Sequence, residues 1–186
     1  MKNFGIRRKL AAALGTACIA ASFVATPLAN LEGTAQASVG NFYEIVNNGS
    51  GKCLDVRSQD GLDNPGARVQ QYHCTGVDEQ KWAPEAAADG YYLLVSRRSG
   101  MCMDVRGGSV EIQQSNGDQI QQWPCAATWA EQQWQFVPTA FLSGAYRLVS
   151  RVSGKCLDLS GGSTADGAKI QQWDCADVTA QQWKFR

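Results

Sequence analysis

Histidine is almost missing from this chain: His73 is the single one in 186 residues. Acyl transfer by a Ser or Cys nucleophile needs a His base in most schemes. His73 has no repeat equivalent and no evident partner, so it reads as a loop residue beside Cys74 rather than as a catalyst. Zinc ligation is equally short of donors, since the sequence holds no C-x-x-C. Beyond residue 37 no apolar run is long enough to span a bilayer. No stretch there sustains an apolar 3.6-residue period with helix caps. Basic clusters are lacking too, so nothing offers a track to a phosphate backbone, which argues against a nucleic-acid partner. These absences exclude helical, membrane-spanning and nucleic-acid-binding classes, and neither metal nor cofactor is expected.

The amino-terminal 37 residues read as a secretory leader of bacterial type. Lys2, Arg7, Arg8 and Lys9 form a basic start, Leu10 to Val24 is mostly Ala, Leu, Ile and Val, and Ala35-Gln36-Ala37 offers a cleavage site before Ser38. Thr26-Pro27 breaks the apolar run, against a retained anchor. Around Cys18 the apolar stretch continues past the cysteine, against a lipoprotein; Arg7-Arg8 alone is a weak twin-Arg signal. Cleavage leaves residues 38–186, about one domain in size, with 13 basic and 16 acidic residues and a net charge of −3. The expected location is extracellular, and the expected state a monomer.

What the remaining chain has in quantity is internal repetition. The first copy holds Cys53-Leu54-Asp55, Val69-Gln70-Gln71-Tyr72-His73-Cys74 and Gln80-Lys81-Trp82. The second holds Cys102-Met103-Asp104, Ile120-Gln121-Gln122-Trp123-Pro124-Cys125 and Gln132-Gln133-Trp134. The third holds Cys156-Leu157-Asp158, Ile170-Gln171-Gln172-Trp173-Asp174-Cys175 and Gln181-Gln182-Trp183. The copies start 49 and 54 residues apart, over about residues 41–86, 90–138 and 144–186. Such a period signals a repeat architecture. A feature built three times is more in keeping with binding than with a catalytic centre, which is normally built once per domain.

Six cysteines remain after cleavage and allow fifteen pairings. Treating the copies alike selects Cys53–Cys74, Cys102–Cys125 and Cys156–Cys175, in the oxidising compartment that the leader implies. Each copy carries about four short strands between Gly-rich or Asp-Gly turns; in the third these are Tyr146–Ser150, Cys156–Leu159, Lys169–Trp173 and Gln182–Phe185. The strands opening the first two copies fall at Phe42–Val46 and Tyr91–Val95. The class is all-β. Three such units are too few to close a propeller ring but close as a β-trefoil, in which Trp82, Trp134 and Trp183 become equivalent interior fillers.

With three Q-x-W motifs in register with Cys-apolar-Asp and Gln-x-aromatic-x-Cys, the chain resembles the ricin-type β-trefoil lectin domains, the Q-x-W family also counted among carbohydrate-binding modules. The resemblance covers about residues 41–186. A pyranose has a C–H face and a ring of hydroxyls, so its site needs an aromatic platform and fixed polar groups. Asp55, Asp104 and Asp158 can accept from adjacent hydroxyls. Tyr72, Trp123 and Trp173 can be the platforms. Gln70, Gln121 and Gln171 can donate and accept beside them, while Gln80, Gln132 and Gln181 can orient the carboxylates. The resemblance implies sugar contact for the Asp, the aromatic and the Gln beside it, with galactose-type glycans or xylan as partners.

The chain departs from that family at one position, where binding members usually carry an Asn before the Q-x-W Gln. Here Glu79, Glu131 and Ala180 stand there. A further polar residue, often His, follows the second Cys in some members; this chain has Thr75, Ala126 and Ala176. Trp129 lies outside the repeat pattern, and two readings stay open: it widens the second site, or it packs the longer loop. An enzyme is not expected, because glycoside hydrolysis needs two carboxylates across one bond and threefold symmetry would hold the three aspartates apart. The alternative is a protein-binding trefoil such as a protease inhibitor, with the loop Gly107–Gln119 doing the work and the sugar sites degenerate.

Overall fold

The computed structural model describes residues 41–107, 115–140 and 144–186. The leader expected over residues 1–37 and most of the Gly107–Gln119 loop lie outside the described residues. Among the described residues, twelve strands fall into three sets of four. The first set is β1 (Tyr43–Asn47), β2 (Cys53–Val56), β3 (Val69–Tyr72) and β4 (Lys81–Ala86). The second is β5 (Tyr92–Ser96), β6 (Cys102–Val105), β7 (Ile120–Trp123) and β8 (Trp134–Pro138). The third is β9 (Ala145–Ser150), β10 (Cys156–Leu159), β11 (Ile170–Trp173) and β12 (Trp183–Phe185). The expected strands meet these to within about a residue at their ends.

Antiparallel pairing runs β1–β4, β4–β5, β5–β8, β8–β9, β9–β12 and β12–β1, which closes a six-stranded barrel. Closure removes the sheet edges that would otherwise invite association. The other six strands form three hairpins, β2–β3, β6–β7 and β10–β11, each with the same four-residue register. Single bridges between Arg68 and Gln121, Gln119 and Gln171, and Lys169 and Gln70 join the hairpins in a ring. This is a β-trefoil. Gln119 also places its Nε2 3.1, 2.8 and 3.0 Å from the carbonyl oxygens of Val69, Ile120 and Ile170, one equivalent residue from each copy. One amide thus ties the three hairpins together.

The core follows from the repeat. Trp82, Trp134 and Trp183 are fully buried, amid Leu54, Met103, Leu157, Val69, Ile120 and Ile170. A buried indole N–H must find an acceptor. Each finds the carbonyl between the Cys and the Asp of its own copy: Leu54 O at 3.3 Å, Met103 O at 3.3 Å and Leu157 O at 3.0 Å. The three disulfides join Cys53 to Cys74, Cys102 to Cys125 and Cys156 to Cys175. Each restrains the unfolded chain by about 3 kcal/mol in the loop-entropy model.

The second Gln of each Gln-Gln pair stitches neighbouring copies. Gln71, Gln122 and Gln172 are fully buried. Gln71 Nε2 donates to Ser163 O and Ala165 O at 2.7 and 2.8 Å, and Gln122 Nε2 to Leu62 O and Asn64 O at 2.8 and 3.0 Å. Gln172 Nε2 reaches Ser115 O and Asp118 Oδ2 at 3.1 and 3.0 Å. Each copy's long hairpin loop is therefore held by the next copy, and the loop carries a left-handed glycine there. Gly66 and Gly117, at φ 84° and 91°, return backbone N–H bonds to Gln122 O and Gln172 O. Only glycine takes that conformation without strain.

Two outcomes test this account of the fold. Trp183→Ala should cost on the order of 3–5 kcal/mol, whereas Trp173→Ala, at a side chain 44% exposed, should change stability by about 0.5 kcal/mol or less. Urea melts of the two variants check it; equal losses would place Trp173 in the interior. Gln122→Leu removes two bonds to loop carbonyls and should destabilise by about 1–3 kcal/mol, read from the same melts.

Candidate functional site

Each site is built where a hairpin meets the segment leading into Q-x-W. A single 3-10 turn ends at the Gln of that motif: Asp78–Gln80, Ala130–Gln132 and Thr179–Gln181. The turn aims the Gln at the hairpin. The chain then becomes extended, so the Trp two residues later enters the barrel core.

All three aspartates are buried, at 6, 4 and 7% exposure, yet their carboxylates border open clefts. Asp55 Oδ1 accepts from Gln70 Nε2 at 2.8 Å and Oδ2 from Gln80 Nε2 at 3.0 Å. For Asp104 the donors are Gln121 Nε2 at 2.8 Å and Gln132 Nε2 at 3.2 Å. For Asp158 they are Gln171 Nε2 at 2.9 Å and Gln181 Nε2 at 3.0 Å. Each carboxylate oxygen thus takes one amide bond and keeps acceptor capacity for one more. The first Gln of each pair, expected beside the platform, commits an N–H to the carboxylate.

The Q-x-W Gln is held from all sides. Gln80, Gln132 and Gln181 also donate to the carbonyls of His73, Pro124 and Asp174 at 3.0, 3.1 and 3.0 Å. Their Oε1 atoms accept at 2.8 Å from the backbone N–H of Thr75, Ala126 and Ala176, just past the second Cys. One amide therefore locks the carboxylate to the disulfide-closed loop.

The platforms stand in the same clefts. Tyr72 and Trp123 are 37% exposed and Trp173 44%. Tyr72 lines the cleft with Asp55, Trp123 that with Asp104, and Trp173 that with Asp158. The clefts measure about 190, 800 and 620 Å³ in chain order. Three walls escaped the reading of the sequence. One is Pro65-Gly66, a loop of the first copy that lines the second copy's cleft. Arg106, exposed beside Asp104, is another. The last is the pair Val77 and Val178, which line the first and third clefts where Trp129, already singled out in the sequence, lines the second; all three stand three residues before a Q-x-W Gln and immediately before its 3-10 turn. Trp129 is therefore in register with the two valines, which counting back from Q-x-W, rather than forward from the cysteine, would have revealed.

Burial raises the pKa of Asp104 to about 6, against the lowering effect of its two amide bonds and with help from the nearby Glu131 charge. Burial raises that of Asp55 as well, again opposed by Gln70 and Gln80 and reinforced by Glu79 and Asp166. Glu79 and Glu131, both half-buried, line the first two clefts, and Ala180 lines the third. At the rim of the first, Asp166 of the third copy accepts from His73 N at 2.9 Å and from Lys52 Nζ at 2.6 Å. Lys52, then His73, hold its carboxyl down at about 2.

Among solved structures, the chain is similar to a designed threefold-symmetric protein, ThreeFoil, with 38% identity and a TM-score of 0.70, over 77% of this chain and 96% of that one. It is similar, at 34% identity and TM-score 0.69, to part of an exo-β-1,3-galactanase, 1,3Gal43A, from Clostridium thermocellum; the match covers 77% of this chain but 29% of the enzyme. A ricin B-like lectin of Macrolepiota procera, solved with lactose, shares the fold at 22% identity and TM-score 0.66, over 81% of this chain and 97% of the lectin. No curated protein sequence matches at a significant level. The sequence pattern of the ricin-type beta-trefoil lectin domain matches residues 41–183, nearly everything from the first barrel strand to the last core tryptophan. This chain belongs to the ricin-type β-trefoil lectin domain family.

Proposed function

We propose that this chain is a secreted, non-catalytic carbohydrate-binding module that holds glycans or polysaccharides through three weak sites, one per copy. The observation that carries the reading is the thrice-repeated pairing of a two-fold braced aspartate with an exposed aromatic ring in one cleft. The fold and its lectin neighbours support carbohydrate binding in general. The Macrolepiota lectin was solved with lactose, an earthworm R-type lectin with GalNAc, and the Clostridium enzyme is a galactanase. Galactose-type sugars are accordingly the first ligands to try, with xylan next. Three disulfides agree with an extracellular setting, and the module works as a monomer.

In each site the ionised Asp accepts from two neighbouring hydroxyls, the orientation of its oxygens being set in advance by the two amides. The aromatic ring takes the C–H face of the sugar. Such preorganisation lowers the ordering cost of binding. Glu79 and Glu131 can accept from hydroxyls but not donate when ionised, and Ala180 does neither. Single-sugar affinity is therefore weak, about millimolar or −4 kcal/mol. Retention on a polymer comes from several sites engaging one chain, which can add roughly 10²–10⁴.

Asp55→Ala, Asp104→Ala and Asp158→Ala should each reduce retention in affinity gels containing soluble galactan or xylan, and the triple variant should abolish it while staying folded by circular dichroism. A wild-type protein that migrates unretarded in every glycan, with a blank glycan array, leaves the protein-binding trefoil as the better account.

The second site should also respond to pH. The folded state holds the Asp104 proton up to about pH 6 and the unfolded chain releases it near pH 4. Protonated Asp104 thus favours the fold below about pH 4, and that contribution is lost as pH rises through about 6. Sugar binding has the opposite sign, because the accepting carboxylate disappears on protonation. In the variant Asp55→Ala/Asp158→Ala, titration calorimetry should show affinity falling as pH drops through about 6. Glu131→Gln removes a repelling charge and should move that midpoint to lower pH.

A further inference from the structure

Trp129 is not required by the fold. Val77 and Val178 occupy its position in the other copies, and all three precede the same 3-10 turn, closed by Gln N–H bonds to their carbonyls at 3.2, 3.2 and 3.1 Å. A small apolar side chain suffices there, yet the second copy places an indole and leaves it 44% exposed. One extra residue separates Cys125 from Gln132 compared with the other copies. It forms an additional turn, with Trp129 N bonded to Ala126 O at 3.0 Å. Gln133 pins that turn by donating to Ala127 O at 2.6 Å, and Arg151 of the third copy holds Gln133 Oε1 at 2.7 Å. The backbone that presents the indole is therefore fixed before any ligand arrives.

The cleft of the second copy thus has two exposed indoles, Trp123 and Trp129, beside one braced carboxylate, Asp104. Among the described residues neither indole has a ring partner, so their faces are not used on each other or on another aromatic side chain. The third cleft has comparable room, but where Trp129 would stand it has Val178, next to Gly161, Gly162 and Ala180. Space alone does not make a second platform; a second indole does. We infer that the second copy binds two consecutive sugar residues of one chain, one over Trp123 beside Asp104 and the next over Trp129, so that it selects oligosaccharide stretches where the other copies read single residues. This rests on the sugar-binding reading above.

The test uses the Asp55→Ala/Asp158→Ala protein, in which only the second site is intact, titrated with galactose, lactose, xylose, xylobiose and xylotriose. A disaccharide should bind about tenfold tighter than its own monosaccharide, the gain expected from one more ring contact. Trp129→Val, the residue that the other copies carry, should remove this gain while leaving monosaccharide affinity within about twofold and the melting temperature unchanged. Val178→Trp in an Asp55→Ala/Asp104→Ala background should raise disaccharide affinity at the third site. Equal affinity for mono- and disaccharide at the second site, or equal losses for both in Trp129→Val, overturns the inference while the broader reading stands. Absence of binding to every sugar by the unmodified protein overturns both.

Discussion

The bond on which most else depends is the one between the Q-x-W glutamine and the aspartate of Cys-x-Asp. Through it a single amide reaches a buried carboxylate, the carbonyl before the second cysteine and the N–H after it. Two residues on, the tryptophan of the same motif enters the barrel and donates to the carbonyl next to that aspartate. Core and cleft are thereby connected through a few covalent bonds of backbone. A shift of the barrel wall would move the carboxylate, so the packing of large buried indoles also sets the precision of the site.

Symmetry is kept by different chemistry at each junction. Asp166 takes the backbone N–H of His73, and Asn116 takes that of Asp174 at 2.9 Å while donating to its carboxylate at 2.7 Å. At the equivalent positions of the remaining junction stand Pro65 and Pro124. Pro124 has no N–H to give, and Pro65 has no side-chain acceptor to receive one. The donor and the acceptor are missing together, so no polar group is left stranded. Pro65 and Gly66 of that junction stand in the wall of the second cleft.

Burial acts on Asp55 and Asp104 in two directions. It strengthens a hydrogen bond made to the ionised carboxylate, because the surrounding dielectric is low. It also makes ionisation harder, and Glu131 adds repulsion at the second site. The amides offset part of this cost without supplying a full countercharge. The result at the second site is a carboxylate that is well aimed but has its pKa raised to about 6.

The sequence by itself determined the class, the threefold repeat, the pairing of cysteines and the division of tryptophans between core and surface. Each rests on local spacing repeated three times, and a repeat makes a chain its own comparison. One brace of each aspartate was legible for the same reason, since Asp55 and Gln80 recur as Asp158 and Gln181; the other, from Gln70, Gln121 and Gln171, was expected beside the platform instead. Tertiary structure alone decided what crosses from one copy to the next. Gln71 holding the Ser163–Ala165 loop and Gln119 reaching the other two hairpins join residues 50 to 94 positions apart, and Pro65 walls the cleft of another copy. It also decided between the two readings left open for Trp129, because only the folded chain shows the indole in the wall of the second cleft. Spacing measures distance along the chain; only the closed barrel converts it into distance in space.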